Sequence, residues 1–535
     1  MTRSQQAAKW LAALFLLAVL LVGLCTYQQY GITYDEAVER QSSIINYQYI
    51  LKTLLHHDLQ VVDQELATWK DRYYGVAFQL PMVLVEHLYN FTLPVHDVFV
   101  MRHLCTFLIC FGGWVCLYVF LQKVFQNRWL SLLGLMMTVL YPRFFGEQFT
   151  NIKDMVFTAA CCASLMMVAL CLEKRRWWME ALAALAFALC TNTRVIGLMI
   201  PLLLAGYRVL CALLDRKNAL REMARFLAQL ALVLVFWVMV TPAAWQQPFQ
   251  FLPNVFSTFS HYDPWDASLP FLGQMVRGQA LLSLPIWYLA ALAAGLWFEG
   301  KTLLGMLRRG QGRQWLASEH RYGMLCFVIA VAPFAVVLVK SVTLYNAWRH
   351  VYYIFPCLVV LMVFGVRALY QKLLSRAGWR KGLCAAMAAL LLYQTGWIIR
   401  EYPLEKVYFN PVGKAMADGM DRDYWYEGMW RQFRYILDHD SAETVVVSCY
   451  NHAGDTYLNY LTDQERERVR MISVGHPDTE YLIDTAVGIG SETFEGFVPV
   501  HRQKVDGVVI STIYASQRMI DERFGGDYPE DDDLS

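Results

Sequence analysis

The sequence predicts an α-helical polytopic membrane protein with a large first extracytoplasmic loop and a small C-terminal extracytoplasmic α/β domain. Three observations predict it. Of 535 residues, 57% are hydrophobic and only 17% are charged, too apolar a balance for a soluble chain of this length. Apolar runs at or near the roughly 20 residues that a bilayer requires recur through the N-terminal three quarters of the chain. Lysine and arginine gather in every second connection between those runs, as they do where connections stay in the cytoplasm.

The first run, Leu11 to Cys25, follows a short basic leader with Arg3 and Lys9. No small-residue cleavage site follows it. Residues 21–25 resemble a lipoprotein box, but Leu24 is the wrong residue before the cysteine, so the segment reads as a retained anchor. Further runs lie at Val98 to Leu121, Trp129 to Phe144, Met155 to Leu172, Trp177 to Cys190 and Val195 to Leu214. Phe226 to Ala244, Leu281 to Phe298, Met324 to Val339, Val351 to Leu369 and Leu383 to Ile399 complete about eleven spans. Basic residues at Lys123 and Arg128, at 174–176, 216–225, 301–321 and 372–381 mark alternate connections. With an odd span count this sets the N-terminus in the cytoplasm and everything after about Arg400 outside.

The domain expectation is a catalytic membrane part over 1–399, whose first outer loop covers about 26–97, and an outer α/β domain over 400–535 with an acidic tail. In the first loop, Ser42 to Leu55 has helical periodicity. A second outer segment, Trp245 to Ser283, carries the aromatic stretch His261 to Asp266, suited to an interface or a substrate cover. In the third, Thr444 to Cys449, Val469 to Val474 and Gly507 to Thr512 read as strands. Most of the thirteen cysteines fall inside predicted spans, where cysteine acts as a small apolar residue. Neither a disulfide framework nor a zinc spacing emerges, and no nucleotide-binding glycine loop or serine elbow is present.

Chemistry is then sought among polar residues at the outer membrane face, where ionisable groups are functional candidates by default. Four clusters qualify: Thr33-Tyr34-Asp35-Glu36 with Arg40; Tyr141 to Glu147 running into Asn151-Ile152-Lys153-Asp154; Thr191 to Arg194; and Tyr345 to His350. The charge alternation puts all four on one side, where they can share a cavity. Carboxylates there suit deprotonation of a hydroxyl or amine, and arginines and lysine suit a departing phosphate.

At these residues the chain resembles the GT-C superfamily of glycosyltransferases, in the branch of protein O-mannosyltransferases and lipid A aminoarabinose transferases. The likeness rests on Tyr34-Asp35-Glu36, on Arg143-Phe144-Phe145-Gly146 followed by Asn151-x-Lys153-Asp154, on Thr193-Arg194 and on Arg349-His350. A stretch from Tyr402-Pro403 through Val407 to Asn410 and on to Asp423-Tyr424-Trp425 is similar to one after the last span of bacterial members. The resemblance implies a polyprenyl-phosphate sugar donor, a lipid, glycan or protein acceptor, inversion in a single displacement and no required cofactor. No metal site and no nucleic-acid partner are implied, although a divalent cation is compatible. It implies Asp35 as general base and Asp154 as the second carboxylate; Glu36, the third catalytic candidate, reads as a helper or a solvated residue. For the donor phosphate the candidates are Arg40, Arg143, Lys153, Arg194, Arg349 and His350.

Each residue also has a plainer reading. Asp35 suits a helix N-terminus, Lys153 and Asp154 suit a structural ion pair, and Arg194 and Arg349 suit anchors that snorkel to head groups. His56-His57-Asp58 reads as exposed surface, because adjacent histidines on a helix point apart. A transporter or flippase for lipid-linked sugars is the main rival function. One-sided charge and an appended soluble domain favour an enzyme over it, since such transporters tend to internal symmetry.

Overall fold

The computed structural model describes residues 2–174, 176–214, 219–260, 279–340, 347–373, 376–450, 454–485 and 494–528. The stretch His261 to Asp266, the pair Tyr345-Asn346 and most of the acidic tail lie outside the described residues.

Helices dominate the first 400 residues, in the order α1 (Arg3–Thr26), α2 (Tyr34–Leu55), α3 (Leu80–Leu88), α4 (Val95–Phe125), α5 (Arg128–Val139), α6 (Pro142–Thr150), α7 (Asp154–Lys174), α8 (Trp177–Thr193), α9 (Met199–Leu214), α10 (Ala219–Met239) and α11 (Pro248–Ser260). They continue as α12 (Ala280–Ser283), α13 (Ile286–Arg308), α14 (Gly312–Ala317), α15 (His320–Lys340), α16 (Phe355–Lys372) and α17 (Ala377–Glu401). Helices occupy all eleven predicted spans. Among the described residues seven are long and apolar enough to cross a bilayer by themselves, and eight if the bent pair α5–α6 counts as one span. The chain is therefore a multi-pass membrane protein.

The 64° bend between α5 and α6 follows from sequence. Pro142 sits at the first position of α6, where it lacks the amide a continuous helix would need from it. The bend turns α6 across the bundle, and all nine of its residues are buried. Elsewhere the helices approach through glycine: a Cβ on Gly295 of α13 would lie 1.9 Å from the Leu361 carbonyl oxygen of α16, and one on Gly365 would lie 2.3 Å from that of Ala291. Helices α7 and α16 are the central ones, with most residues of each buried, while α1 and α17 present mostly exposed leucine, tryptophan and tyrosine, as lipid-facing helices do.

Past α17 the chain stays with the bundle. Leu404, Val407, Tyr408, Phe409, Tyr424 and Trp425 share the core of the helical part. The short helix α18 (Pro411–Lys414) and then α19 (Met429–His439) lead into a five-stranded sheet. Its strands are β1 (Val445–Cys449), β2 (Val469–Met471), β3 (Tyr481–Asp484), β4 (Phe497–Val505) and β5 (Val508–Ser516), ordered β2-β1-β3-β5-β4. β1 pairs in parallel with β2 and β3, and β5 pairs antiparallel with β3 and β4. Small helices α20 (Gly454–Leu458) and α21 (Asp463–Glu467) connect β1 to β2, and α22 (Gln517–Phe524) closes the unit. Three strands match the expected ones. β3 escaped notice at four residues, and β4 because His, Arg, Gln and Lys fill its positions 501–504.

Candidate active site

Four chain segments meet at one end of the bundle: the start of α2, the junction of α6 and α7, the end of α8 and the 3-10 turn Arg349–Ile354 before α16. Each belongs to one of the four polar clusters singled out in the sequence.

Helix α2 starts at a capping box. The Glu36 carboxylate accepts from the Thr33 amide at 2.7 Å and from its hydroxyl at 3.1 Å, so the helix start is fixed by Thr33 and Glu36. Asp35 is free of that duty and sits in the first turn, where a carboxylate also complements the helix dipole. The break between α6 and α7 is held by Asn151, whose side chain accepts from the Asp154 amide at 2.7 Å and donates to Glu147 at 2.6 Å. That fixes Asp154 as the first residue of α7, pointing at the cluster.

Arg349 joins the two aspartates. Its Nη1 lies 3.1 Å from Asp35 Oδ2 and 3.1 Å from Asp154 Oδ2, while Arg194 takes the other oxygen of Asp154. The Arg349 guanidinium also lies over the ring of Trp425, 5.1 Å from its centroid. Asp154 is almost wholly buried, at 1% side-chain exposure, whereas Asp35 is 32% exposed. One carboxylate is thus locked between two guanidinium groups, and the other is anchored through Arg349 and accessible.

Beside this pair, Lys153 Nζ lies 2.6 Å from Glu39 Oε1 and 3.5 Å from the centroid of the Tyr74 ring. Burial by itself would lower the Lys153 ammonium, but Glu39 outweighs it and holds the group above its ordinary value. Gln79 fixes the second oxygen of Glu39 at 2.7 Å. Glu39 lies four residues after Asp35, on the same face of α2. The i, i+4 spacing was the signal for it, and sequence reasoning passed it over. The segment carrying Tyr74 is tied down by Asn192 near the end of α8, which accepts from the Ala77 amide at 3.1 Å. A Cβ on Gly75 would lie 2.1 Å from the Asn192 carbonyl oxygen, so only glycine allows this approach.

The remaining candidates are placed elsewhere or have other work. Glu36 is buried against His103, 3.0 Å away, as well as in its capping box. Arg40 pairs at 2.7 Å with Glu86, which also holds Arg102 at 2.8 Å. Arg143 is buried, donating to the Tyr408 carbonyl at 3.0 Å and to Gln279 at 2.8 Å, and so staples α6 to the segment after α17. His350 adjoins Arg349 and is partly buried near Asp154 and Arg194. Glu147, which closes the Tyr141 to Glu147 cluster but was given no role of its own from sequence, accepts from Asn151, from Tyr352 at 2.7 Å and from Tyr424.

A control for the plainer reading lies in the same bundle. Arg208 grips both oxygens of Glu180 at 2.7 Å, and Gln229 adds a bond at 2.9 Å. All three are buried, as a structural ion pair should be. The Asp35 cluster differs in keeping an accessible carboxylate, with Arg194 and Lys153 partly exposed beside the buried Arg349. Among the described residues no group of three or more His, Cys, Asp or Glu side chains is arranged to hold a metal ion.

Neither protein-family models nor curated proteins match the chain. Among solved structures it is similar to ArnT from Cupriavidus metallidurans in the apo state, with a TM-score of 0.46 and 12% identity over 95% of this chain and 98% of that one. It is likewise similar to the same protein bound to undecaprenyl phosphate, with a TM-score of 0.43 and 13% identity over the same shares. At that level of similarity, the functional reading rests on the residues of the site.

Proposed function

We propose that the chain is an inverting membrane glycosyltransferase. It moves a sugar from a polyprenyl-phosphate donor to an acceptor at the outer face of the cytoplasmic membrane, with its N-terminus cytoplasmic and its sheet domain outside. The observation that carries this reading is the accessible Asp35 carboxylate held by Arg349, within a cluster that also contains Arg194 and Lys153 at one end of the bundle. That end of the bundle suits an amphiphilic donor, because a lipid tail can lie along apolar helices while its phosphate reaches cationic side chains.

In the proposed reaction an acceptor hydroxyl or amine attacks the anomeric carbon of the donor. Asp35 takes the acceptor's proton as the new bond forms. The bond from the anomeric carbon to the phosphate oxygen breaks on the opposite face, and polyprenyl phosphate leaves with the electron pair. Arg194, Lys153 and Arg349 balance the charge that gathers on it. Asp154 keeps Arg194 and Arg349 in place, so its role is to position cations, while Glu39 does the same for Lys153. A cavity of about 220 Å³ lined by Arg72, Tyr73, Gln246, Gln247 and Asn254 lies one residue along from Tyr74 and supplies polar room for an acceptor.

Proteoliposomes holding the purified protein and a polyprenyl phosphate carrying labelled sugar test the reading. Label should pass covalently to acceptor, with polyprenyl phosphate left behind. Movement of intact labelled lipid between leaflets without bond cleavage would replace the transferase by a flippase.

A further inference from the structure

At the end of the bundle opposite the Asp35 cluster, two cavities of contrasting chemistry meet. Helix α7 spans the distance between the two ends: Asp154 is its first residue and Glu173 its last but one, about 28 Å apart at 1.5 Å per residue. One cavity, of about 220 Å³, is an apolar slot between α7, α9 and α15, lined by Val168, Leu172, Leu203, Gly206, Leu210 and Val328. The other, of about 590 Å³, is polar and is lined by Lys123, Arg128, Arg321 and Glu173 together with three glutamines. Arg321 and Tyr322 line both.

The polar cavity carries three cationic side chains against one carboxylate. Lys123 is 2.6 Å from Glu173, and Arg128 reaches the Gln5 carbonyl at 3.3 Å. Arg321 donates to the Tyr322 hydroxyl at 3.1 Å and bonds with the Tyr207 side chain, while its Nε is buried with no hydrogen-bond partner among the described residues. The residues come from the ends of α4, α5, α7 and α15, where a head group of the adjoining leaflet would sit.

We infer that these two cavities form a binding site for an anionic glycerophospholipid of the leaflet opposite the Asp35 cluster, with one acyl chain in the slot and the phosphate beside Arg321 and Lys123. Charge complementarity selects the anionic head group over a zwitterionic one, and the shared residues Arg321 and Tyr322 set the head group against the start of the tail. None of these residues belongs to the Asp35 cluster, so lipid binding is separable from turnover.

Thermal unfolding of the purified full-length protein, with one lipid species added at a time, tests the inference. Phosphatidylglycerol should raise the unfolding midpoint by several degrees over phosphatidylcholine of the same chains. The double variant Lys123→Gln, Arg321→Gln should lose that difference. Gly206→Leu should lose it too, with every charge intact, because a side chain there projects into open space and fills the slot. Equal midpoints in the two lipids for the unaltered protein would overturn the inference, as would a phosphatidylglycerol preference that survives both variants. If soluble glycerol phosphate stabilised as well as the lipid, the site would be one for a free phosphate ester and not for a lipid.

Discussion

The two aspartates of the cluster should separate stability from turnover when each is changed to asparagine. Asp154 is buried and accepts from two guanidinium groups, Arg194 and Arg349. Asparagine in its place deprives Arg194 and Arg349 of the carboxylate they share, while Arg349 keeps Asp35. Breaking a buried pair in this way costs about 3–5 kcal/mol, which corresponds to a fall in unfolding midpoint on the order of 3–5 °C in a chain of this size. Asp35 makes one such contact, at 3.1 Å, and is 32% exposed, so screening by water limits the loss for Asp35→Asn to about 1 kcal/mol or less. Its amide still accepts from Arg349 but takes up no proton, and losing a general base lowers the rate by about 10²–10⁴. Differential scanning fluorimetry in detergent and a rate assay for polyprenyl phosphate release give the two readouts. The reasoning is refuted if Asp35→Asn unfolds as early as Asp154→Asn, or if it keeps a tenth of normal turnover.

Other perturbations follow from the same geometry. Arg349→Met should cut turnover and weaken donor binding, with Arg349→Lys recovering part, because lysine keeps the charge without the planar fork; equal loss in both would show that geometry alone matters. Gly75→Val should drive the Tyr74 segment off Asn192 and raise the KM for donor or acceptor with little change in midpoint; unchanged kinetics would detach that segment from the site. In Gly365→Leu a side chain meets the Ala291 carbonyl, so α13 and α16 must part and the midpoint should fall by several degrees. Burial raises Glu427 to about 7, against the pull of Lys406 at 2.7 Å, and Lys406 is itself raised to about 12. Folded protein therefore holds the Glu427 proton between about pH 4.5 and 7 while unfolded chain releases it, so stability falls as pH rises through that window. Glu427→Gln should flatten that fall, by about 3 kcal/mol at most, as read from midpoints at pH 5 and pH 8.

Much of this arrangement was legible in the sequence. Composition and apolar runs marked the eleven helices because lipid and bundle core make the same demand on side chains along a span. Lys153, Asp154, Arg194 and Arg349 stood out because each adjoins an apolar run, where a charge is conspicuous, and Asp35 because it lies early in the outer loop that follows the first run. Partners were not legible. Nothing in the order of residues says that Arg143 and Arg40 turn to Tyr408 and Glu86 while Arg349, some 200 positions from Asp154, closes on it; those choices belong to tertiary packing. The capping box at Thr33 and Glu36 was readable as T-x-x-E, and would have moved Glu36 from helper to helix start. Strand β4 was hidden by polar residues, and the 64° break at α5–α6 by an apolar run that continues across Tyr141-Pro142.

The central claim is tested most directly by phosphorus NMR of the purified protein with a polyprenyl-phosphate sugar, with and without acceptor. The account predicts that the donor's phosphodiester signal converts to the monoester of polyprenyl phosphate only when acceptor is present, and that Asp35→Asn stops the conversion while donor still binds. Conversion at an undiminished rate in Asp35→Asn would contradict it.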